Sequence, residues 1–369
     1  MSKFATKAIH IGSEPNLEIG GSGDVVVPIH LSTTFARTNV YKPIGGYEYS
    51  RTGNPIRHAL EKNLAVLENG KFAFAFSSGL SAITNTLLLL QNNDHSISID
   101  DVYGGTRRLF TKVFKRFGLQ FSFVNFTKGK DIVSHVKPNT KMVWIESPTN
   151  PLMKIVDIAS VCKTAKKKNV LTVVDNTFAS PYFQKPLDLG ADIVIHSLTK
   201  YIGGHSDVVG GCVVVKDKAL AERIGFLQNA VGGILSPFDS YSVLRGIKTL
   251  EIRMQKHDEN AKKIAAFLSK HKKIKKIYYP GFGGMLSFEL QGNKQTTINF
   301  MEALKIIVIA ESLGAVESLI DHPASMTHAS VPKEARETIG LSDKLIRLSV
   351  GIEDPEDLII DLSQALSKI

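Results

Sequence analysis

From residue 72 onward, the chain alternates between short runs of apolar residues and longer amphipathic runs. The short runs predict strands: FAFAF, SISID, FSFVNF, KMVWIE, VLTVV, ADIVIHS and GCVVVK. The longer runs predict helices, among them SSGLSAITNTLLLLQ, GGTRRLFTKVFKRFG and residues 157–168. Apolar strands separated by helices are typical of a largely parallel sheet covered on both faces. We therefore expect an α/β fold with a mostly parallel central sheet.

The C-terminal third follows a different pattern. The segment AVGGILSP, residues 230–237, indicates a hinge, and a long helical pattern covers about residues 238–268. GMLSFELQ, IIVIAE and LIRLSV predict strands, and residues 296–304 and 355–366 predict helices. The Asp354-Pro355 pair suits a helix start. We expect three parts: an extended N-terminal arm (residues 1–46), a large domain (47–233) and a smaller α+β domain (234–369).

Length and cysteine usage narrow the class of protein. A chain of 369 residues is longer than one hydrophobic core usually serves, which favours two domains. The two cysteines, Cys162 and Cys212, form neither a disulfide framework nor a metal-binding spacing, so we expect reduced thiols and no metal site. No apolar run is long enough for a signal peptide or a membrane span. These features predict a cytoplasmic protein that does not contact membranes.

The positive charge raises the question of an acidic partner. The formal net charge is +10, which suits nucleic acid or an acidic substrate. The lysines concentrate in KTAKKKN and KHKKIKK, at the ends of predicted helices, where cations are favourable. No aromatic residues alternate with them to stack on bases. We expect no nucleic-acid binding, and a module that binds acidic partners is the main non-enzyme alternative.

Polar residues follow several predicted strands, at the edge of a parallel sheet where ligands bind. After FAFAF, the segment SSGL opens a helix whose N–H groups suit a phosphate, although a serine N-cap explains it equally well. Tyr103 follows SISID and could stack on a ring or cover the core. Asp175 follows VLTVV, where helix capping or a salt bridge is the alternative to a ligand contact. Lys200 follows ADIVIHSLT.

Taken together, these residues match the needs of one cofactor. A phosphate site, a stacking aromatic, an acid for a ring nitrogen and an amine for an aldehyde are what pyridoxal 5′-phosphate (PLP) requires. The aspartate would keep the pyridine nitrogen protonated, and the lysine would bind the cofactor covalently and act as a base. The G-x-G-x-x-G and G-x-x-x-x-G-K-[ST] motifs are absent, which disfavours dinucleotides and nucleoside triphosphates.

The chain resembles the Cys/Met metabolism family of PLP enzymes over essentially its whole length. The resemblance rests on YEYSRTGNPIR, SSGLSA, DDVYGGTRRLF, ESPTNP, VVDNTFASPYF, HSLTKYIGGHSDVVGG, MTHAS and LIRLSVGIED, in this order. It implies an aspartate-aminotransferase-like fold, fold type I, and PLP as the cofactor. One segment departs from the family: after YPG at residues 279–281 the chain runs directly into FGGM, where relatives usually have a connecting stretch and a further helix.

The resemblance also implies roles for individual residues. The catalytic residues would be Lys200 and Tyr103. The cofactor contacts would be Ser78, Gly79, Leu80, Tyr103, Asp175, Ser197, Thr199 and Lys200, with Tyr49 and Arg51 reaching the phosphate in a neighbouring subunit. The substrate contacts would be Arg347, Ser312, Asn150, Glu311 and Arg108. Active sites would then be shared within dimers, and two dimers would form a homotetramer. From the residues alone, Arg347 could equally pair with an internal acid, and Arg51 could simply be exposed.

Two positions narrow the expected reaction. Glu311 lies where the family's cystathionine γ-lyases and γ-synthases have glutamate, whereas methionine γ-lyases have an apolar residue and bacterial β-lyases a tyrosine. Gly105 lies where methionine γ-lyases have cysteine. We therefore favour γ-elimination of L-cystathionine to cysteine, 2-oxobutanoate and ammonia, a trans-sulfuration reaction. The alternatives are a cystathionine γ-synthase that joins an O-acyl homoserine to cysteine, and a methionine γ-lyase-like or other sulfur amino acid lyase. An aminotransferase is a further branch.

Overall fold

The structure is a computed structural model that describes residues 2–17, 22–329 and 331–369. Its strands are β1 (Arg37–Asn39), β2 (Lys42–Pro43), β3 (Phe72–Phe76), β4 (His95–Ile99), β5 (Gln120–Val124), β6 (Thr140–Glu146), β7 (Leu171–Asp175), β8 (Ile193–Ser197), β9 (Gly211–Val215), β10 (Ile274–Tyr278), β11 (Met285–Leu290), β12 (Val308–Ile309), β13 (Leu319–Asp321) and β14 (Leu345–Ser349).

The α-helices are α1 (Phe4–His10), α2 (Pro55–Leu67), α3 (Gly79–Leu87), α4 (Gly104–Arg108), α5 (Ile158–Lys166), α6 (Ser180–Phe183), α7 (Lys218–Val231), α8 (Pro237–Ile247), α9 (Leu250–Lys270), α10 (Lys294–Glu302), α11 (Lys333–Ile339) and α12 (Pro355–Ser367). Short 3₁₀ helices cover Ile44–Gly46, Phe114–Phe117, Gly129–His135 and Pro186–Asp188, and a π turn covers Leu109–Val113. No helix in the described ranges is both long and apolar enough to cross a membrane.

The larger sheet has seven strands in the order β3-β9-β8-β7-β6-β4-β5. β9 is antiparallel to both neighbours and the other strands are parallel, so the predicted mostly parallel sheet is confirmed. Along β8, Ile193 and Ile195 pack in one hydrophobic cluster, and Val194 packs in another. Because side chains alternate between the faces of a strand, this split shows a sheet buried on both faces. Continuous apolar strands such as IVIHS follow from that double burial.

The smaller sheet has the order β10-β11-β14-β13-β12 and is antiparallel except between β12 and β13. Its core includes Phe288, Ile346 and Leu362, and thus joins the sheet to α12. The predicted strand IIVIAE shrinks to Val308–Ile309, and the lysine-rich β10 was not predicted. Between β10 and β11 the chain makes a short turn in which Gly281 and Gly283 both have positive φ.

The long helix predicted over residues 238–268 is wrong, because the structure has two helices, α8 and α9, that meet at Lys248 and Thr249. Arg253 explains the break. Its guanidinium donates to the carbonyl of Gly246 at 2.8 Å, at the end of α8, and to the carbonyl of Tyr201 at 2.7 Å. The helix end is therefore satisfied by a side chain instead of by a continuing helix.

The packing of the N-terminal arm and of the helices after the hinge bears on the predicted three-part division. The arm is not extended throughout, since α1 packs on α2 and Asn63 donates to the carbonyls of Ala8 and Ile11. After the hinge, α8 and the start of α9 share a hydrophobic cluster with α2 and the larger sheet, whereas Ala261, Ile264 and Leu268, later in α9, pack in the cluster of the smaller sheet. The three-part division at residues 46 and 233 stays a prediction.

Candidate active site

A cavity of about 340 Å³ opens at the carboxyl ends of the parallel strands. Twelve of the residues predicted for the cofactor or substrate line it: Ser78, Gly79, Leu80, Tyr103, Asn150, Asp175, Ser197, Thr199, Lys200, Glu311, Ser312 and Arg347. The lining also includes residues to which the sequence analysis assigned no role, among them Glu146, Thr177, Phe178 and Thr327. The structure therefore gathers residues from distant parts of the chain into one site.

The start of α3 forms one wall of the cavity. Ser78 caps the helix, and its Oγ accepts from the N–H of Ser81 at 3.0 Å. Gly79 and Leu80 lie in the first turn, where N–H groups have no acceptor within the helix. A Cβ on Gly79 would lie 3.2 Å from the Cβ and 3.3 Å from the Oγ of Ser197. Glycine therefore lets the helix start approach Ser197 closely, which suits a small anion held between them.

Asp175 lies at the end of β7 and is held by its own loop. Its Oδ1 accepts from the N–H of Thr177 at 3.1 Å and from the Thr177 hydroxyl at 2.6 Å. The same hydroxyl oxygen accepts from the N–H of Ser197 at 2.9 Å, so Thr177 ties the ends of β7 and β8 together. Burial raises the pKa of Asp175, and the bonds from Thr177 oppose that rise.

Lys200 lies three residues beyond β8, and its Nζ donates to the hydroxyl of Ser312 at 2.7 Å. The pKa of this amine is lowered from 10.5 to about 8, mainly by burial and then by the charge of Arg347, while the charges of Asp321 and Glu311 oppose the shift. Ser312 has a φ of 100°, a left-handed conformation that is uncommon outside glycine. Such local strain is found where the surrounding structure requires it, often at functional sites.

Arg347, on β14, is 2% exposed and has partners from three segments. It donates to Oδ1 of Asn150 at 3.0 Å and to the carbonyl of Ser312 at 3.0 Å. It also forms an ion pair with Asp321, its cross-strand neighbour on β13. The open possibility that Arg347 pairs with an internal acid is thus realised, although Arg347 still lines the cavity. Its Nε is buried without a partner among the described residues, which leaves a donor for a ligand.

Tyr103 lies at the mouth of the cavity, where its side chain is partly exposed. Its backbone N–H donates to both carboxylate oxygens of Glu146, at 2.9 and 3.1 Å. Burial, and then the neighbouring charge of Asp175, raise the pKa of Glu146 well above its usual range. A Cβ on Gly105 would lie 2.4 Å from Cε1 of Tyr103, so only glycine at this position leaves room for the tyrosine ring. Glu146 was missed, although a carboxylate at the end of KMVWIE was a readable signal.

Three predicted site residues lie outside the cavity lining. Arg51 donates to the carbonyl of Asn229 at 2.6 Å, and its guanidinium lies 5.5 Å from the centre of the Tyr49 ring. Arg108 is exposed, and its charge lowers the pKa of Tyr103 against the stronger effect of burial. Of the MTHAS segment, Thr327 lines the cavity, and Ser330 lies outside the described residues.

Comparison with known proteins assigns the chain to a family. The sequence model described as "Cys/Met metabolism PLP-dependent enzyme" matches residues 5–367. The chain belongs to this family. It is 50% identical over 364 residues to cystathionine γ-lyase of Bacillus subtilis (strain 168), covering 94% of this chain and 96% of that protein. It is also 50% identical over 385 residues to cystathionine β-lyase of Coxiella burnetii, covering 99% and 98%.

Solved structures of family members superpose closely on this chain. Cystathionine γ-lyase from Lactobacillus plantarum, complexed with L-serine, has a TM-score of 0.96 at 48% identity and covers 100% of this chain and 99% of its own. MetB from Corynebacterium glutamicum has a TM-score of 0.97 at 43% identity, covering 100% and 98%. The expected fold type I architecture is confirmed. Within the Cys/Met metabolism family, the chain is a PLP-dependent enzyme of the cystathionine lyase type.

The residues present fit PLP, the family's cofactor. The close approach of Gly79 to Ser197 provides a small anion site at a helix start. The buried carboxylate of Asp175 suits a protonated ring nitrogen, since burying it beside a cation offsets its desolvation. Lys200 has an amine whose lowered pKa favours the neutral, nucleophilic form. Each of these features lines the same cavity.

Proposed function

We propose that this enzyme catalyses γ-elimination of L-cystathionine: L-cystathionine and water give L-cysteine, 2-oxobutanoate and ammonia. The observation that carries the proposal is the meeting of two groups at Ser312. The Ser312 hydroxyl accepts from Lys200, and its carbonyl accepts from Arg347, so a proton-carrying amine lies beside a carboxylate-binding guanidinium. Residues from the large sheet and the small sheet thus act on one amino acid substrate.

The proposed cofactor contacts divide between the two ends of PLP. Bound PLP withdraws electrons from the substrate carbon that loses its proton. Asp175 keeps the ring nitrogen protonated, and the Tyr103 ring stacks on the cofactor. The backbone N–H groups of Gly79 and Leu80, with Ser78, Ser197 and Thr199, hold the phosphate. Thr199 is already held in place, because its hydroxyl bonds to the N–H of Gly210 at 3.0 Å.

Arg347 and Lys200 divide the work on the substrate. The Arg347 guanidinium binds the α-carboxylate, where a planar fork suits two oxygens, and Asn150 and Asp321 keep it oriented. Lys200 then removes the proton from Cα and a second proton from Cβ. Tyr103 or Lys200 protonates the sulfur as the Cγ–S bond breaks. The cysteine thiol leaves, and water releases 2-oxobutanoate and ammonia.

Glu311 supports cystathionine as the substrate. It lines the cavity and is exposed at its mouth, so its carboxylate can pair with the distal ammonium group of a long diamino acid. Its charge raises the pKa of Lys200, which burial lowers, and adds to the rise that burial causes in the pKa of Tyr103. Arg108, beside Tyr103, is available for the distal carboxylate.

β-Elimination of the same substrate is the second candidate, and the comparisons favour retaining it. Proteins named cystathionine β-lyase, from Coxiella burnetii and Lactococcus lactis, are as similar to this chain as those named γ-lyase. β-Elimination would give homocysteine, pyruvate and ammonia from the same proton removal at Cα. The glutamate at position 311 favours the γ reaction, because the family resemblance implies a tyrosine at this position in bacterial β-lyases. The γ-synthase and methionine γ-lyase reactions remain weaker alternatives.

Product analysis tests the proposal. Purified enzyme with PLP is incubated with L-cystathionine, and the keto acids and thiols are separated by chromatography. We expect 2-oxobutanoate and cysteine in equal amounts. Pyruvate and homocysteine as the products would show that the enzyme catalyses the β reaction instead of the γ reaction. Absence of any keto acid, with cystathionine formed from an O-acyl homoserine and cysteine, would establish a synthase instead.

We also propose a cytoplasmic homotetramer built from two dimers with shared active sites. The arm supports an assembly: Leu31, Val40 and Tyr41 are 73%, 79% and 89% exposed in the single chain, which is costly for large apolar residues unless a partner covers them. Tyr49 and Arg51 are free of their own chain's cavity and therefore available to a neighbour's. Sedimentation of the purified protein tests the assembly, and a monomer would contradict it.

A further inference from the structure

A buried arginine and a buried glutamate on α2 have no role in the proposed reaction. Arg57 is 1% exposed and Glu61 is 8% exposed, one helical turn apart. Their closest atoms, Nε and Oε1, are 3.7 Å apart, and neither residue lines the cavity. Burying a charged or polar group without hydrogen bonds is costly, so the groups that bond the two Arg57 terminal nitrogens and the Glu61 carboxylate indicate what each residue holds in place.

Arg57 holds the loop that contains Arg51. Its NH1 donates to the carbonyl of Ser50 at 2.7 Å, and its NH2 donates to the carbonyl of Arg51 at 3.1 Å. The two bonds fix consecutive backbone units of one loop. Arg51 itself points to Asn229, at the C-terminal end of α7, and not to the cavity of its own chain. Arg57 therefore positions a loop whose arginine serves no described site within this chain.

Glu61 holds the strand that leads to the phosphate site. Its Oε1 accepts from the N–H of Ala75 at 2.8 Å, and Gln228 donates to the carbonyl of the same residue at 2.8 Å. Ala75 is the penultimate residue of β3, three residues before Ser78. Gln228 and Asn229 are adjacent on α7. The contacts thus form a closed ring from the Arg51 loop through α2, β3 and α7 back to Arg51.

We propose that Arg57 and Glu61 are positioning residues for two different cofactor sites, Arg57 for the neighbouring subunit's and Glu61 for its own. This inference rests on the proposed sharing of active sites within a dimer. Through the Arg51 loop, Arg57 sets where that arginine meets the neighbour's phosphate. Through β3, Glu61 sets where the start of α3 meets its own phosphate. The helix α2 thereby positions the backbone segments that contact both phosphates.

Three single variants separate this role from simple folding stability. Arg57→Lys keeps the charge but lacks the planar fork whose two nitrogens reach the two carbonyls. Glu61→Ala removes the acceptor of the Ala75 N–H. Leu64→Ala, in the same helix and equally buried, is the control, because it weakens the core without touching either loop. PLP affinity, measured by absorbance titration of the apoprotein, should fall about tenfold in the first two variants and stay unchanged in the control.

Mixed assemblies decide which site each residue serves. Each variant is co-expressed with an excess of Lys200→Ala subunits, so that most variant subunits pair with a Lys200→Ala subunit within their dimer, and two affinity tags isolate the mixed protein. In Arg57→Lys mixtures, the sites that retain Lys200 receive an intact Arg51 loop from the other subunit, so their PLP affinity should return to the wild-type value. In Glu61→Ala mixtures, the affinity of those sites should stay low, because their own β3 is altered.

The outcomes distinguish the two proposals. An unrestored affinity in Arg57→Lys mixtures, or a restored one in Glu61→Ala mixtures, would overturn the assignment of the pair. If Leu64→Ala lost as much PLP affinity as the other two variants, Arg57 and Glu61 would have only structural roles, and this result would also overturn the assignment. A protein that sediments as a monomer before any substitution would instead contradict the shared active sites on which the inference rests.

Discussion

The two ends of the candidate site are held in different ways. At the cofactor end, Thr177 bonds Asp175 two residues away in the chain and Ser197 twenty residues away, within the ends of neighbouring strands. At the substrate end, Arg347 bonds Asn150 across 197 residues, and Ser312 meets Lys200 across 112. The cofactor end therefore depends on one sheet, whereas the substrate end depends on how the two sheets pack. Loosening that packing should impair substrate binding before cofactor binding.

The largest effect is expected where the two ends meet. Lys200→Ala removes the amine that would bind the cofactor and move the substrate protons, so release of 2-oxobutanoate should fall about 10³- to 10⁴-fold. Lys216→Ala is the control, because Lys216 pairs with Asp188 away from the cavity. Steady-state assays of both variants measure the effect. A Lys200→Ala enzyme with full activity would contradict the role of Lys200 at the point where the cofactor end and the substrate end meet.

Loss of the acid behind Arg347 should affect stability next. Asp321→Ala leaves a buried guanidinium without its counter-charge, and removing one partner of a buried pair costs about 3–5 kcal/mol. Urea unfolding of the apoprotein measures the change in the free energy of unfolding. Asp321→Asn, which retains the shape and one acceptor, is the matched variant and should lose less. Equal stability of all three proteins would show that the substrate end does not depend on this pair.

Arg347→Lys should separate the two ends functionally. A lysine keeps the charge but loses the planar fork, and hydrogen bonds to charged groups contribute about 1.5–3 kcal/mol, so kcat/KM should fall about 10- to 100-fold. PLP affinity should not change, because the cofactor contacts belong to the larger sheet. Kinetics and absorbance titration of the same preparation test both statements. A parallel loss of PLP affinity would contradict the division.

The pH dependence of cofactor uptake probes the shared lysine without substrate. Only the neutral amine reacts with an aldehyde, and the pKa of Lys200 is lowered by burial from 10.5 to about 8. The rate of PLP uptake by the apoprotein should therefore rise with pH up to about 8 and then level off. Stopped-flow absorbance follows this rate. A rate that continues to rise towards pH 10 would mean an unperturbed lysine. In Glu311→Gln the midpoint should move down, because the charge of Glu311 raises this pKa.

The smallest effect is expected at the exposed edge of the substrate end. Glu311→Gln removes a carboxylate at the cavity mouth, where exposed ion pairs contribute about 0.2–1 kcal/mol. The KM for L-cystathionine should rise about two- to fivefold. An O-acyl homoserine, which has no distal ammonium group, is the control substrate, and its KM should stay the same. Equal changes for both substrates would remove the role of Glu311 in choosing cystathionine.

The same contrast explains what could be predicted from sequence. Asp175, Ser197 and Lys200 were predictable because each lies at or shortly after the end of an apolar strand, and parallel strands bring such positions to one edge. Asp321 was not predicted, because its role depends on its register opposite Arg347 in an antiparallel pair. Thr177 was missed for a related reason, because its hydroxyl accepts from the N–H of Ser197, which lies beside it only in the folded chain.

Helix boundaries followed the same rule. The residue pattern over 238–268 is amphipathic throughout, and the break at residues 248–249 comes from Arg253, which bonds carbonyls from two segments. The start of α12 was predictable, because the Asp354 carboxylate caps the helix by accepting from the N–H of Glu356, two residues further along the chain. Local signals are readable from the sequence, whereas contacts between distant segments are not.

Locating the lysine that holds PLP tests the central claim most directly. Borohydride treatment of the enzyme with bound PLP makes the link to the lysine permanent, and proteolysis with mass spectrometry then identifies the modified residue. We expect modification of Lys200, in the peptide that follows β8, at one equivalent per chain. Modification of a different lysine, with Lys200 unmodified, would contradict it.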